Sequence, residues 1–265
     1  MRPPLTSLHN PTVKALVKLR QRRARDRQQC LLIDGARALH LALANGVQLA
    51  ALYVDEAVLD THAALLHRAA AAGVTLQPVT AAVFRKIGYG EHPDGVLGLA
   101  SQPRMCLSRL LRLPMPLYVI VEGLEKPGNL GAILRSADAA GVTGIILCDN
   151  QIDVWNPNVI RASQGACFTV PLAIASAAAA LAWLRQGGIR ILAATPTARQ
   201  LYTQVDMRGP CALVFGAEHH GLSEVWQHDT LLRIPMGGQV DSLNVAQAAS
   251  ILVFEAVRQR NLPST

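Results

Sequence analysis

Six short apolar runs in the second half of the chain, each separated from the next by a segment of helical character, restrict the fold more than any other feature. They are Tyr118–Val121, Gly144–Leu147, Cys167–Val170, Ile189–Ala193, Ala212–Phe215 and Leu231–Ile234. Strands that are apolar throughout, instead of alternating, are buried on both faces, and helices between them supply the cover. The pattern predicts an α/β domain with a parallel sheet, closed by a long helix from about Val245 to Arg260. A GxGxxG turn and a GxxxxGK[ST] loop are both missing, so the usual dinucleotide and P-loop readings fail.

The first half is a smaller α/β unit. A strand over Cys30–Ile33, a helix over Ala36–Ala44 stopped at Gly46, and a strand over Leu49–Val54 come first. A helix over Thr61–Ala72 ends at Gly73, Val74–Val79 follows, and the unit runs to about Ser101. The Gly88–Gly95 stretch reads as a loop. Gln102–Pro116, with three prolines and the cations Arg104, Arg109 and Arg112, reads as a connection. The expected division is therefore 1–101, a linker 102–116, and a second domain 117–265.

Charge is concentrated in one place. Residues 1–29 carry eight cations and one acid, which accounts for the whole net charge of +7. An excess gathered in one segment points to a polyanionic partner. Asn10-Pro11 reads as a cap with proline at the first helical position. On one helix continuing from there, Lys14, Lys18, Arg22 and Arg25 fall within about 80° of arc, opposite Val13, Leu16, Val17 and Leu19. That cationic edge is expected to stand free of acid partners and to contact phosphates.

Five cysteines stand at least 19 residues apart with no CxxC pair, which is expected of reduced thiols in a cytoplasmic protein. The uncharged stretch Ala166–Leu184 reaches the length of a bilayer span, but Pro171 and Ser176 divide it. It reads as a strand, a turn, and a helix capped by Ser176 and ended at Gly187-Gly188, so no membrane role is expected. Glu218-His219-His220 lacks the HExxH spacing, and no metal is expected.

Three segments place polar residues where a strand ends and a helix begins, the region where open α/β sheets bind ligands. The first runs from Glu122 through Gly128, Asn129 and Gly131 to Arg135; its helix start offers free N–H donors. The second is Phe215-Gly216 through Glu218 to Gly221-Leu222, where Gly216 lets a ligand approach the main chain. The third runs from Ile234 and Met236 through a Gly-rich loop to Ser242, Leu243 and Asn244, with Ser242 as the expected helix cap and Asn244 just inside the helix. Taken singly, each also reads as ordinary capping.

In this order and spacing the three segments resemble the motifs of the SpoU/TrmH-type methyltransferases of the SPOUT superfamily. N-x-G-x-x-x-R stands as Asn129, Gly131 and Arg135; F-G-x-E-x-x-G-L as Phe215–Leu222; I-P-M and S-L-N-V as Ile234–Met236 and Ser242–Val245. R-A-S-x-G-A stands as Arg161–Ala166. Ala246 replaces the serine that often follows S-L-N-V in the family. The Thr6–Pro11 opening and the Leu32–Arg37 and Pro93–Gly98 runs resemble the RNA-binding domain that precedes some of these enzymes.

The resemblance implies a trefoil-knotted, homodimeric methyltransferase domain behind a small α/β RNA-binding domain. It implies S-adenosylmethionine held by Gly216, Ile234, Met236 and Leu243, and methyl transfer to a ribose 2′-hydroxyl of RNA. Asn129, Arg135, Glu218, Ser242 and Asn244 would carry the chemistry, and Arg161 would join Lys14, Lys18, Arg22 and Arg25 on the RNA. Ribosomal RNA is favoured over transfer RNA by the preceding domain, and antibiotic-resistance enzymes share that architecture. The rival readings are a non-catalytic RNA-binding protein of the same fold and, against the basic segment, a small-molecule methyltransferase.

Overall fold

The protein is described by a computed structural model covering residues 2–89, 94–149, 152–217, 220–227 and 229–261. Its elements run α1 (Pro11–Lys18), α2 (Arg22–Gln28), β1 (Cys30–Asp34), α3 (Ala36–Ala44), β2 (Leu49–Asp55), α4 (Ala63–Ala71), β3 (Thr75–Val79), α5 (Ala81–Ile87) and β4 (Val96–Ser101). Then come β5 (Leu117–Glu122), α6 (Pro127–Ala139), β6 (Gly144–Cys148), α7 (Pro157–Ala162), β7 (Leu172–Ala175), α8 (Ala177–Gln186) and β8 (Arg190–Ala194). The chain ends with β9 (Gln200–Leu201), β10 (Cys211–Phe215), β11 (Thr230–Arg233) and α9 (Val245–Asn261).

These form two compact units. The first comprises residues up to Pro103 together with Asp153–Thr169. Its sheet has the order β1-β4-β2-β3, antiparallel except for the β2/β3 pair. Val13, Leu16 and Leu19 bury against Val83, Phe84 and Ile87 of α5, which anchors the N-terminal helix on this unit. Reading from sequence alone keeps 153–169 with the second domain, whereas here Asp153 ion-pairs with the buried Arg25. A Cβ added at Gly165 (φ +88°) would meet Ala38 Cα at 2.9 Å, so the segment lies directly on α3.

The basic segment departs from expectation. The basic segment is two helices, not one: α1 stops at Lys18, Gln21 is extended, and α2 restarts at Arg22. Arg25 turns inward and is 1% exposed. It donates to the carbonyls of Leu19 (2.7 Å) and Arg20 (2.8 Å), groups freed where α1 ends, and to Asp153. Arg22 faces Asp26 across one helical turn at 3.4 Å, so the expected edge also has an acid partner. Lys14 and Lys18 remain exposed.

The second unit, Arg104–Ile152 with the chain from Val170 onward, holds a seven-stranded parallel sheet of order β7-β6-β5-β10-β8-β11-β9. The central strands β5, β6 and β10 are buried at every residue, as their unbroken apolar sequences require. The strand expected at Cys167–Val170 is instead a short 3-10 turn over Ala166–Phe168 in the first unit, where Phe168 stacks on Trp155. The edge strand starts only at Leu172, after Pro171, whose carbonyl accepts Ile145 N–H. Ser176 does cap α8, accepting Ala179 N–H at 3.2 Å. The 104–116 stretch is integral to this unit, since Leu110 is buried in its core and Met105 O accepts Ile174 N–H. Among the described residues no helix is long and apolar enough to cross a membrane.

Candidate functional site

Adjacent strands β5, β10, β8 and β11 run parallel, so the loops leaving their carboxyl ends gather at one edge of the second sheet. The β5 strand ends at Glu122, a buried carboxylate that accepts Ser223 N–H at 2.9 Å and so ties the first loop to the segment after β10. Gly123 (φ +61°) turns the chain, and Pro127 sits in the first turn of α6, where its missing N–H leaves no bond unmade.

After β10 the main chain doubles back. Ala217 and Gly221 exchange backbone hydrogen bonds at 3.0 and 2.9 Å, leaving Gly216 at the mouth. A Cβ there would lie 2.2 Å from Gly221 C and 2.4 Å from Leu222 N, which real side chains do not reach. Only glycine fits, because one strand of backbone passes over another.

After β11 the loop from Ile234 leads into α9. Its cap differs from expectation: Asn244, not Ser242, terminates the helix, with Oδ1 accepting Ala246 N–H at 2.9 Å. The amide of Asn244 also donates to Asn129 Oδ1 at 3.1 Å. Two asparagines 115 residues apart thereby lock the α9 start to the first turn of α6. About two turns further in, Ser136 and Ser250 hydroxyls pair at 2.7 Å and repeat the connection.

These loops enclose a cavity of about 450 Å³. Gly216, Ile234, Met236 and Leu243, the four residues expected at the cofactor, all line it, as do Ser242 and Asn244. Asn129 reaches the site through Asn244. Glu218 lies outside the described residues. Arg135 stands apart: it is exposed, and six residues along α6 from Asn129 put it roughly 120° around the helix axis. It does not line the cavity.

Sequence reasoning missed several of the lining residues. Thr195 and Pro196 follow β8, a strand whose loop carries no motif, and Lys126 and Asp241 flank the motifs instead of belonging to them. Thr195-Pro196 join the site because β8 lies between the motif strands β10 and β11, an adjacency that the strand order shows and the sequence does not. Glu122 likewise drew no role, although a carboxylate closing an apolar strand must find a partner. Cys148, at the end of the neighbouring β6, is no nucleophile, because burial, then the charges of Asp149 and Glu122, push its thiol up to about 12.

Arg161 is not among the residues that line this cavity. It sits at the rim of a smaller cavity in the first unit, together with Asp34, Arg37 and Tyr89.

Comparison with known proteins places these features in company. Residues 116–254 match the SpoU rRNA Methylase family, and residues 10–98 match the MRM3-like substrate binding domain. A solved RNA 2′-O ribose methyltransferase is 40% identical, with a TM-score of 0.85, over 98% of this chain and 100% of its own. The AdoMet-bound rRNA methyltransferase from Sinorhizobium meliloti superposes with a TM-score of 0.89 at 31% identity, covering 98% of this chain and 99% of that one. The 23S rRNA (guanosine-2′-O-)-methyltransferase RlmB of Ralstonia nicotianae is 36% identical over 74% of this chain and 82% of its own length.

Proposed function

The chain belongs to the SpoU rRNA methylase family, and from that premise we propose that it is an S-adenosylmethionine-dependent RNA 2′-O-ribose methyltransferase acting on ribosomal RNA. The observation that carries this is the convergence of three strand-end loops on one cavity large enough for a nucleoside-sized ligand.

The cavity residues suit the cofactor. Gly216 leaves the main chain bare where a ligand must approach it, and Ile234, Met236 and Leu243 offer an apolar wall to a flat ring system. When bound, S-adenosylmethionine supplies a methyl group on a sulfonium centre, already activated for displacement. What remains for the protein is to align a weak nucleophile, the ribose hydroxyl, and to manage its proton.

In this reading the Asn129–Asn244 pair fixes the floor on which the ribose rests, with Ser242 and Glu218 contributing polar contacts. Arg135 presents a planar guanidinium fork that matches the oxygens of a phosphate. Its role is to hold the phosphate beside the target ribose and to stabilise charge developing on the hydroxyl oxygen, and its exposure supports an approach by RNA from solvent. Exposed Lys14 and Lys18 contact phosphates elsewhere on the RNA. Ala246, where relatives often have serine, still donates its backbone N–H to Asn244, so the cap is unaffected.

The finer architecture follows the family. The second unit closes as a trefoil knot, a reading supported by the return of α9 from β11 to pack on α6 and β10. Ile251 and Phe254, 37% and 47% exposed on α9, form the apolar surface for a second copy in a homodimer. The enzyme works in the cytoplasm with the RNA it modifies.

The test is transfer of labelled methyl to unmodified ribosomal RNA, followed by alkaline digestion, which spares only 2′-O-methylated linkages. Arg135→Ala is expected to reduce the transfer rate by about 10²-fold or more while cofactor binding persists. Cofactor and RNA binding without any transfer by the unaltered protein would favour the non-catalytic alternative.

A further inference from the structure

The first unit contains a cavity of about 170 Å³ that methyl transfer does not use. Asp34, buried at the end of β1, forms its floor, and Tyr89 lines one side. Arg37, Asp94, Arg161 and Gln164 stand exposed around it. Tyr89 is held firmly: the Arg20 guanidinium lies 5.1 Å above its ring and donates to the carbonyls of Gly88 (2.6 Å) and Lys86 (2.9 Å) on the approach to it.

The charges here behave unlike Arg22 and Arg25. Arg25 and Arg22 each meet a carboxylate at ion-pair distance. In this cavity two guanidiniums and two carboxylates share a small space, yet among the described residues the guanidinium of neither Arg37 nor Arg161 closes an ion pair or a hydrogen bond. The carboxylates are turned to backbone donors instead, Asp34 to Tyr89 N–H and Asp94 to Ala36 N–H at 3.1 Å. Opposite charges kept apart around a cavity leave both free for a ligand with donors and acceptors of its own.

That requirement excludes simple ions. The carboxylates would repel a phosphate, and the arginines would repel a cation. The volume is below the roughly 300 Å³ at which cavities enclose drug-sized ligands, so a single planar ring system fits and a whole nucleotide does not. Single-stranded RNA is read in this way, with bases splayed onto aromatic or guanidinium surfaces and hydrogen-bonded along their edges. Among the bases, guanine presents two adjacent N–H donors that match a carboxylate, and on another edge two acceptors, O6 and N7, that match a guanidinium fork. Adenine's single exocyclic donor group lies between ring acceptors and does not match that pair of partners.

We propose that this cavity reads one unpaired guanine of the RNA substrate, with the Asp34/Asp94 side taking its donor edge and Arg161 or Arg37 its acceptor edge. The site deepens the reading of the protein as an RNA-modifying enzyme and rests on it.

The experiment compares the full chain's affinity, by fluorescence anisotropy, for a short oligoadenylate and for the same oligomer with one central guanine. A preference for the guanine oligomer on the order of tenfold is expected. Arg161→Lys keeps the charge and removes the fork, and Asp94→Asn removes the carboxylate. Each is expected to bring the ratio close to one, leaving the all-adenine affinity within about twofold and S-adenosylmethionine binding unchanged by calorimetry. Equal affinities in the unaltered protein, or a ratio that survives both substitutions, overturn the proposal. If the protein methylates RNA yet shows equal affinities, only this site is overturned; if it binds no RNA, the reading beneath it falls as well.

Discussion

The strand-end cavity of the second unit and the basic segment of the first were equally conspicuous in the sequence, but the folded chain treats them differently. Gly216, Ile234, Met236, Ser242, Leu243 and Asn244 gather where their motifs imply. The row of four cations instead breaks into two helices and loses Arg25 to the interior. Two of the first kind answer local demands of the backbone: a glycine where main chain crosses main chain, and an asparagine whose side chain caps a helix start. Local sequence specifies such positions. A cation's exposure depends on what the rest of the molecule packs over it, and angular position on an assumed helix carries no information about Asp153, 128 residues away.

The contrast breaks most visibly at Arg25. If it is a structural residue, Arg25→Ala leaves Asp153 without its partner and the carbonyls of Leu19 and Arg20 without a donor. A loss of about 3–5 kcal/mol is expected, read as a lowered midpoint in urea, because an orphaned buried charge costs more than the pair contributes. Were Arg25 a phosphate contact, the midpoint would hold and only RNA affinity would drop.

A second effect belongs to Asp34, also in the first unit. Burial, offset by the Tyr89 N–H and by the charges of Arg161 and Arg20 and aided by Asp94, raises its carboxyl from 3.8 to about 6. Arg37 lines the same cavity. A carboxyl raised on folding binds its proton more tightly in the native state. Its contribution is therefore full below about pH 4 and is lost as pH rises through 6. The loss amounts to about 2–3 kcal/mol across that window. Asp34→Asn should flatten this part of the stability profile, and an unchanged decline from pH 4 to 7 would show that the carboxyl titrates normally.

In the second unit the sharpest probe is Gly216→Ala. The added methyl meets the Gly221–Leu222 peptide unit, at 2.2 Å from Gly221 C and 2.4 Å from Leu222 N, and no flexible side chain can yield. We expect a loss of about 1–3 kcal/mol in stability and a weakened cofactor affinity. A variant with native cofactor affinity would mean that the crossing of chains at Gly216 is unrelated to the cavity. This residue also marks what was legible. The parallel sheet could be read from unbroken apolar strands, and the loops from the glycines and polar residues at their ends. The Leu172–Ala175 strand was misplaced because Ala166 to Val170 is just as apolar, and hydrophobicity does not distinguish a buried turn from a buried strand. The Thr195-Pro196 wall of the cavity was missed because its residues are ordinary, and only the strand order gives them a place.

The smallest effect tests what survives of the basic segment. Lys14 and Lys18 are exposed one turn apart on α1, while Arg22 is shared with Asp26. A double Lys14→Gln, Lys18→Gln substitution removes two cations that contribute nothing to the core, so the urea midpoint should stay within about 0.5 kcal/mol. If both lysines meet phosphates, the slope of log affinity against log salt should fall by roughly 1.5 in magnitude, since each neutralised phosphate contributes about 0.7–0.9. Substituting Arg22 and Asp26 together should move the slope far less, because that pair is already close to neutral. A salt slope no more altered by the loss of Lys14 and Lys18 than by the charge-neutral loss of Arg22 and Asp26 would mean that no part of α1 lies against the RNA backbone.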